Sequence, residues 1–193
     1  MNIPNLISIS RILAVPLAVW LITDGHMLWA FWVFIAAGVS DALDGFIAKQ
    51  FNMETELGKY LDPIADKALL VSVYVSLGIS GHLPSWVVIL VVFRDFTIVG
   101  GALLLETVTH SLTMHPIMVS KVNTVLQIVL AAVVLADAGY NIQLNGWLDI
   151  LIGLTIITTV LSGFAYLVVL LRDWAKAEAK VEAKVEAGVG EDK

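Results

Sequence analysis

SDALDGFIAKQFNMETELGKYLDPIADK, residues 40–67, decides how this chain is read. It sets two pairs of aspartates into apolar surroundings. Asp41 and Asp44 stand at i and i+3 near the end of one apolar stretch, and Asp62 and Asp66 at i and i+4 at the start of the next. On helices each pair projects from one face. The short connection makes the two helices antiparallel neighbours, which brings the pairs to a similar depth. Four converging carboxylates repel one another, and an ionisable group inside a membrane span is costly and usually functional. Divalent cations relieve the repulsion, and carboxylate oxygens suit Mg²⁺ or Mn²⁺. Four such ligands can hold two ions at the separation of about 3.5–4 Å used in two-metal phosphoryl chemistry. Gly45 and Gly58 leave room for a ligand or a neighbouring helix. Pro63 suits a first helical turn, with Asp62 as its N-cap.

The rest of the chain explains the setting. Of 193 residues, 59% are hydrophobic and 15% charged, against about a quarter charged in soluble domains. Mean hydropathy is +0.88. Lipid is the natural solvent for such a chain. Six stretches are long and apolar enough to span a bilayer: 6–23, 27–48, 61–80, 84–105, 117–136 and 147–171. Turns are expected at Asp24-Gly25-His26, at Gly81–Pro84 and at Asp137–Asn141. Lys49 and Lys59 fall in the second connection, Lys121 just after the fourth, and Arg172 to Lys193 after the last span. The first, third and fifth connections have no Lys or Arg. Because Lys and Arg collect on the cytoplasmic side, both termini are expected there. The expected fold is all-α: an integral membrane protein of six transmembrane helices with a polar cavity open to the cytoplasm. Residues 1–173 form its catalytic domain. Residues 174–193, with Lys and Glu recurring every four positions, form a charged cytoplasmic helix. The absence of cysteine excludes disulfides and thiolate chemistry, and no basic face for nucleic acid is evident.

The opening stretch resembles the signature D-x2-D-G-x2-A-R-x8-G-x3-D-x3-D of the CDP-alcohol phosphatidyltransferases. Asp41, Asp44, Gly45, Ala48, Gly58, Asp62 and Asp66 are in register, and Lys49 stands where the family usually has Arg. Lys49 keeps the charge and loses the bidentate fork. The resemblance implies six transmembrane helices, cytoplasmic termini and a homodimer. It further implies that Asp41, Asp44 and Asp62 ligate two divalent cations, Mg²⁺ or Mn²⁺, on the pyrophosphate of CDP-diacylglycerol. Asp66 resembles the general base that deprotonates the attacking hydroxyl, a role an alcohol nucleophile requires. Asp41, Asp44, Gly45, Ala48, Lys49 and Gly58 match positions that bind CDP-diacylglycerol.

The acceptor alcohol is read from fewer positions. Residues 2–11, NIPNLISISR, resemble the opening of two branches of the family, one using glycerol 3-phosphate and one forming cardiolipin from phosphatidylglycerol. Residues 120–127, SKVNTVLQ, and the pair Arg94-Asp95 look more like the cardiolipin branch. Where the other branch has a second Lys, this chain has Asn123. A phosphomonoester benefits from an extra cation more than a diester does, so Asn123 favours phosphatidylglycerol. Arg11, Arg94, Lys121 and Asn123 are the expected contacts to substrate phosphate, with Asp95 and Glu106 placed to orient Arg94 or the acceptor.

His26, His82, His110, His115, Glu54 and Glu56 read as solvated. The tryptophans near span ends read as an interfacial belt. With no basic presequence, a bacterial cytoplasmic (inner) membrane is expected. A cation-coupled transporter also uses intramembrane carboxylates, but inverted repeats are not visible here.

Overall fold

Each apolar stretch becomes a helix: α1 (Ile3–Thr23), α2 (Met27–Phe51), α3 (Glu56–Ile79), α4 (Ser85–Thr109), α5 (Met118–Tyr140) and α6 (Asn145–Gly190). In this computed structural model the backbone is described for residues 3–51, 56–109 and 118–190. Side chains are described for 10–41, 65–101, 118–144, 146–172 and 174. No strand occurs among the described residues.

Three connections share one device. At Gly25 (φ 81°) the His26 amide donates to the Leu21 carbonyl, and at Gly81 (φ 76°) the His82 amide donates to the Leu77 carbonyl. Both are Schellman endings, with glycine taking the left-handed position at no steric cost. The third ending falls later than the sequence suggests. The turn expected at Asp137–Asn141 is helical through Tyr140, and Asn141 (φ 54°) takes the glycine's place, with the Ile142 amide donating to the Asp137 carbonyl. Asn tolerates this conformation better than most residues. Asp137 stays in the helix and its carboxylate accepts the Leu144 amide at 2.8 Å. Gly139, expected as turn punctuation, instead lets α5 close on α2: a Cβ there would sit 2.8 Å from the Leu28 backbone.

A second boundary also moves. α3 begins at Glu56, so Asp62 lies within the helix rather than at its N-cap, and Pro63 follows it inside. Glu56, Leu57, Lys59 and Leu61 are good helix formers, and the helix extends through Gly58 and past the one intrahelical bond that Pro63 cannot make. Asp62 and Asp66 are therefore one turn apart on one helix. At the far end, α6 runs 46 residues without a break through Trp174 to Gly190, so the charged tail continues the last apolar helix.

The described chain forms two compact units, Met1–Ile89 with Val125–Leu154, and Leu90–Thr124 with Thr155–Lys193. In the first, α1 packs on both α2 and α3. Burial departs from that of a water-soluble protein on two counts. Trp29, Ile79, Ile89, Phe93, Phe96 and Trp147 are exposed, while Arg11, Arg94, Asp95, Asn123, Gln127, Thr155 and Thr159 are buried. Apolar surface turned outward over polar groups turned inward fits lipid as the solvent. Among the described residues, α5 and residues 146–172 of α6 are long and apolar enough to cross a membrane, and residues 10–23 and 27–41 are shorter apolar helices. The inner faces are graded along each helix. On α4, buried Val87, Val88 and Val91 give way to Arg94 and Asp95. On α5, buried Asn123 and Gln127 give way to Leu130, Ala131, Val134 and Leu135.

Candidate metal centre and a buried polar cluster

Because α1 packs on both α2 and α3, one side chain of α1 can reach both carboxylate-bearing helices. That side chain is Arg11. It is 2% exposed, and Nη1 meets Oδ1 of Asp41 on α2 and Oδ1 of Asp66 on α3. The two carboxylates are 40% and 45% exposed. Two acidic side chains 25 positions apart thus converge on one cation. The guanidinium stands where positive charge is needed, and it offsets one of the two negative charges. α2 places Asp44 three residues beyond Asp41, and α3 places Asp62 four residues before Asp66, so both fall on the face of their partner. The remaining demand for positive charge, met only by oxygen donors, fits a hard divalent cation. The side chains of Asp44, Gly45, Ala48, Lys49, Gly58 and Asp62 lie outside the described residues, although their backbones are helical. Among the described residues no group of three or more acidic, His or Cys side chains stands together.

The sequence expectation for Arg11 is a contact to substrate phosphate, which the structure does not test. Here it bonds carboxylates, which a sequence motif confined to residues 41–66 gives no reason to expect. Its signal is a buried charge near the start of an apolar helix.

The second unit holds a different cluster. Arg94 on α4 is 5% exposed. Nη1 donates to Asp95 Oδ1 at 2.8 Å, and Nη2 donates to Ser120 Oγ on α5 at 2.7 Å and to Ser162 Oγ on α6. Asp95 therefore orients Arg94 as expected; the side chain of Glu106 lies outside the described residues. Asn123, one turn after Ser120, is completely buried, and its Oδ1 accepts from Thr158 and Thr159 of α6, each at 2.9 Å. Lys121, two residues before Asn123, is exposed and takes no part; residues two apart do not share a helix face.

Ser120 enters the sequence reading only as the first residue of the SKVNTVLQ segment, and Thr158, Thr159 and Ser162 do not enter it. Hydroxyl residues inside an apolar helix can bond their own backbone and so look neutral in hydropathy. The available signal is spacing: Ser120, Asn123 and Gln127 fall at i, i+3 and i+7, and Thr155, Thr159 and Ser162 at i, i+4 and i+7. Gln127 belongs to the first unit. Its carbonyl accepts the Tyr74 hydroxyl at 3.0 Å, and its buried side-chain amide has no partner among the described residues.

The sequence profile of "CDP-alcohol phosphatidyltransferase" matches residues 1–161. This chain belongs to that family. It is 33% identical over 184 residues to "CDP-diacylglycerol–glycerol-3-phosphate 3-phosphatidyltransferase 1, chloroplastic" of Oryza sativa subsp. japonica, covering 86% of this chain and 56% of the relative. It is 33% identical over 181 residues to "Cardiolipin synthase (CMP-forming)" of Rattus norvegicus, covering 86% and 60%. It is 28% identical over 182 residues to "CDP-diacylglycerol–glycerol-3-phosphate 3-phosphatidyltransferase" of Bacillus subtilis (strain 168), covering 86% and 93%. The chain thus spans little more than half the length of the rice and rat relatives. Equal identity to relatives named for two different acceptors means that overall similarity does not choose between them. Membership of this family leaves the transporter reading without support.

Proposed function

We propose that this chain is a membrane-embedded phosphatidyltransferase that moves a phosphatidyl group from CDP-diacylglycerol to phosphatidylglycerol, giving cardiolipin and CMP. The observation that carries the reading is the convergence of Asp41 and Asp66 on one cationic group, in a chain whose residues 41–66 keep the spacing of the family signature. The six helices, each at least 21 residues long, match the roughly 20 residues needed to cross a bilayer. The Lys and Arg distribution supports cytoplasmic termini.

In this mechanism Asp66 accepts the proton of the acceptor hydroxyl. The hydroxyl oxygen attacks the phosphorus of the phosphatidyl group, the bond to the CMP oxygen breaks, and CMP leaves with the electron pair. Asp41, Asp44, Asp62 and Asp66 would hold divalent cations, Mg²⁺ or Mn²⁺, which supply positive charge to the pyrophosphate and the departing CMP. Arg11 holds Asp41 and Asp66 together. Gly45, Ala48, Lys49 and Gly58 border the nucleotide. Arg94 and Asn123 hold the acceptor phosphate. Asn123 offers donors without a charge, which suits a singly charged diester.

A second acceptor, glycerol 3-phosphate, is favoured by the names of the rice and Bacillus relatives. CMP release by purified protein with CDP-diacylglycerol and Mg²⁺ or Mn²⁺ separates the two. Cardiolipin formed only with phosphatidylglycerol is the expected result; turnover only with glycerol 3-phosphate replaces the acceptor and keeps the metal centre.

A further inference from the structure

The two ends of the Asn123 amide are treated differently. Its oxygen accepts two hydrogen bonds, from Thr158 Oγ1 and Thr159 Oγ1, which fills the acceptor capacity of a carbonyl. Its nitrogen, with two N–H donors, is buried and has no partner among the described residues. Thr158 divides its proton, since its hydroxyl also lies 3.1 Å from the Thr155 carbonyl. Thr159, fully buried, is the firmer donor. Turned over, the amide could still donate to both hydroxyls, and Thr158 could give its proton to the Thr155 carbonyl, but Thr159 has no other acceptor among the described residues, so Thr159 above all fixes which end is presented.

A second donor in the same unit is left in the same condition. Both terminal nitrogens of Arg94 are held, by Asp95 and by Ser120 and Ser162, while Nε is buried without a partner among the described residues. Ser120 ties Arg94 to α5 one turn before Asn123. Buried donors without acceptors are costly in a low-dielectric interior. Two such donors in one unit suit a ligand rich in acceptor oxygens. The charge of Arg94 is already balanced by Asp95, so the site suits a singly charged group better than a doubly charged one.

We propose that Thr158 and Thr159 are positioning residues that lock the Asn123 amide with its nitrogen presented to a phosphate oxygen of the bound acceptor. This rests on the reading that the acceptor's phosphate enters this cluster, and it adds what sets the direction of the contact.

Three nearly isosteric changes test it. Thr159→Val removes the hydroxyl, Thr159→Ser keeps it, and Asn123→Asp exchanges the two donors for an acceptor. Thr158→Val is a second, independent removal. The full chain in phosphatidylcholine nanodiscs is first heated in EDTA with increasing inorganic phosphate. Wild type and Thr159→Ser are expected to be protected, and Thr159→Val and Asn123→Asp to need about ten times more phosphate for the same protection. In CMP release, the same two variants should raise KM for the active acceptor about tenfold, with kcat and KM for CDP-diacylglycerol near wild type. Equal protection of all five proteins, or protection of none, overturns the proposal, as does a Thr159→Ser that behaves like Thr159→Val. Absence of CMP release from wild type with either acceptor defeats the reading of function instead, and is seen separately from phosphate protection.

Discussion

Arg11 and Arg94 are both buried, and they hold opposite kinds of partner. Arg11 reaches across helix interfaces to two carboxylates that are nearly half exposed, and its single charge leaves them in excess. Arg94 is answered by an adjacent aspartate that is 3% exposed and by two hydroxyls, so its charge is balanced where it stands. The first arrangement is electrostatically open and can take more cation. The second is closed and offers only hydrogen-bond donors. Within one apolar fold, exposure of the acidic partner separates a place built for exchange from a place built for fixed geometry.

The largest expected effect lies at the open site. Asp66→Asn should lower CMP release by about 10²–10⁴-fold, the usual contribution of a general base, with a cooperative thermal transition kept in detergent. Full-rate turnover by this variant would falsify the base assignment. At the closed site the cost should be structural. Arg94→Leu strands the Asp95 carboxylate and should destabilise by about 3–5 kcal/mol, whereas Arg94→Leu with Asp95→Leu should regain most of it. If the double variant melts no higher than the single one, the pair is not self-contained. Arg11→Gln should cost less stability than Arg94→Leu, because water already reaches Asp41 and Asp66. Mg²⁺ should also raise its melting temperature more than it raises that of wild type, since the metal then replaces a lost cation. Equal Mg²⁺ responses would mean that Arg11 and metal do not share the carboxylates. The smallest effect is Tyr74→Phe, which removes one bond to the Gln127 carbonyl and should cost about 1 kcal/mol, read as a small shift in denaturation with turnover kept.

The six helices and the aspartate register could be read directly, because hydropathy and helical spacing are properties of neighbours in sequence. The endings were legible where glycine made them, at Gly25 and Gly81. They were misread where Asn141 did the same work and Gly139 served packing instead. Asp62 was read as a cap because Pro63 is a strong local signal, yet α3 starts at Glu56. The bond from Arg11 to Asp41 and Asp66 joins positions 30 and 55 apart, and the Asn123 cluster joins helices 35 residues apart. Such partners are chosen by helix packing, which no local pattern records.

α6 carries Thr159 and Ser162 and then continues to Gly190 without interruption. Each residue of an α-helix advances the azimuth by about 100° and the axis by about 1.5 Å. The charged segment is therefore phase-locked to the face that holds Asn123. Inserting one alanine after Trp174 would rotate every later side chain by about 100° while leaving the composition of the tail almost the same. Whatever meets the tail reads an angle set at Thr159.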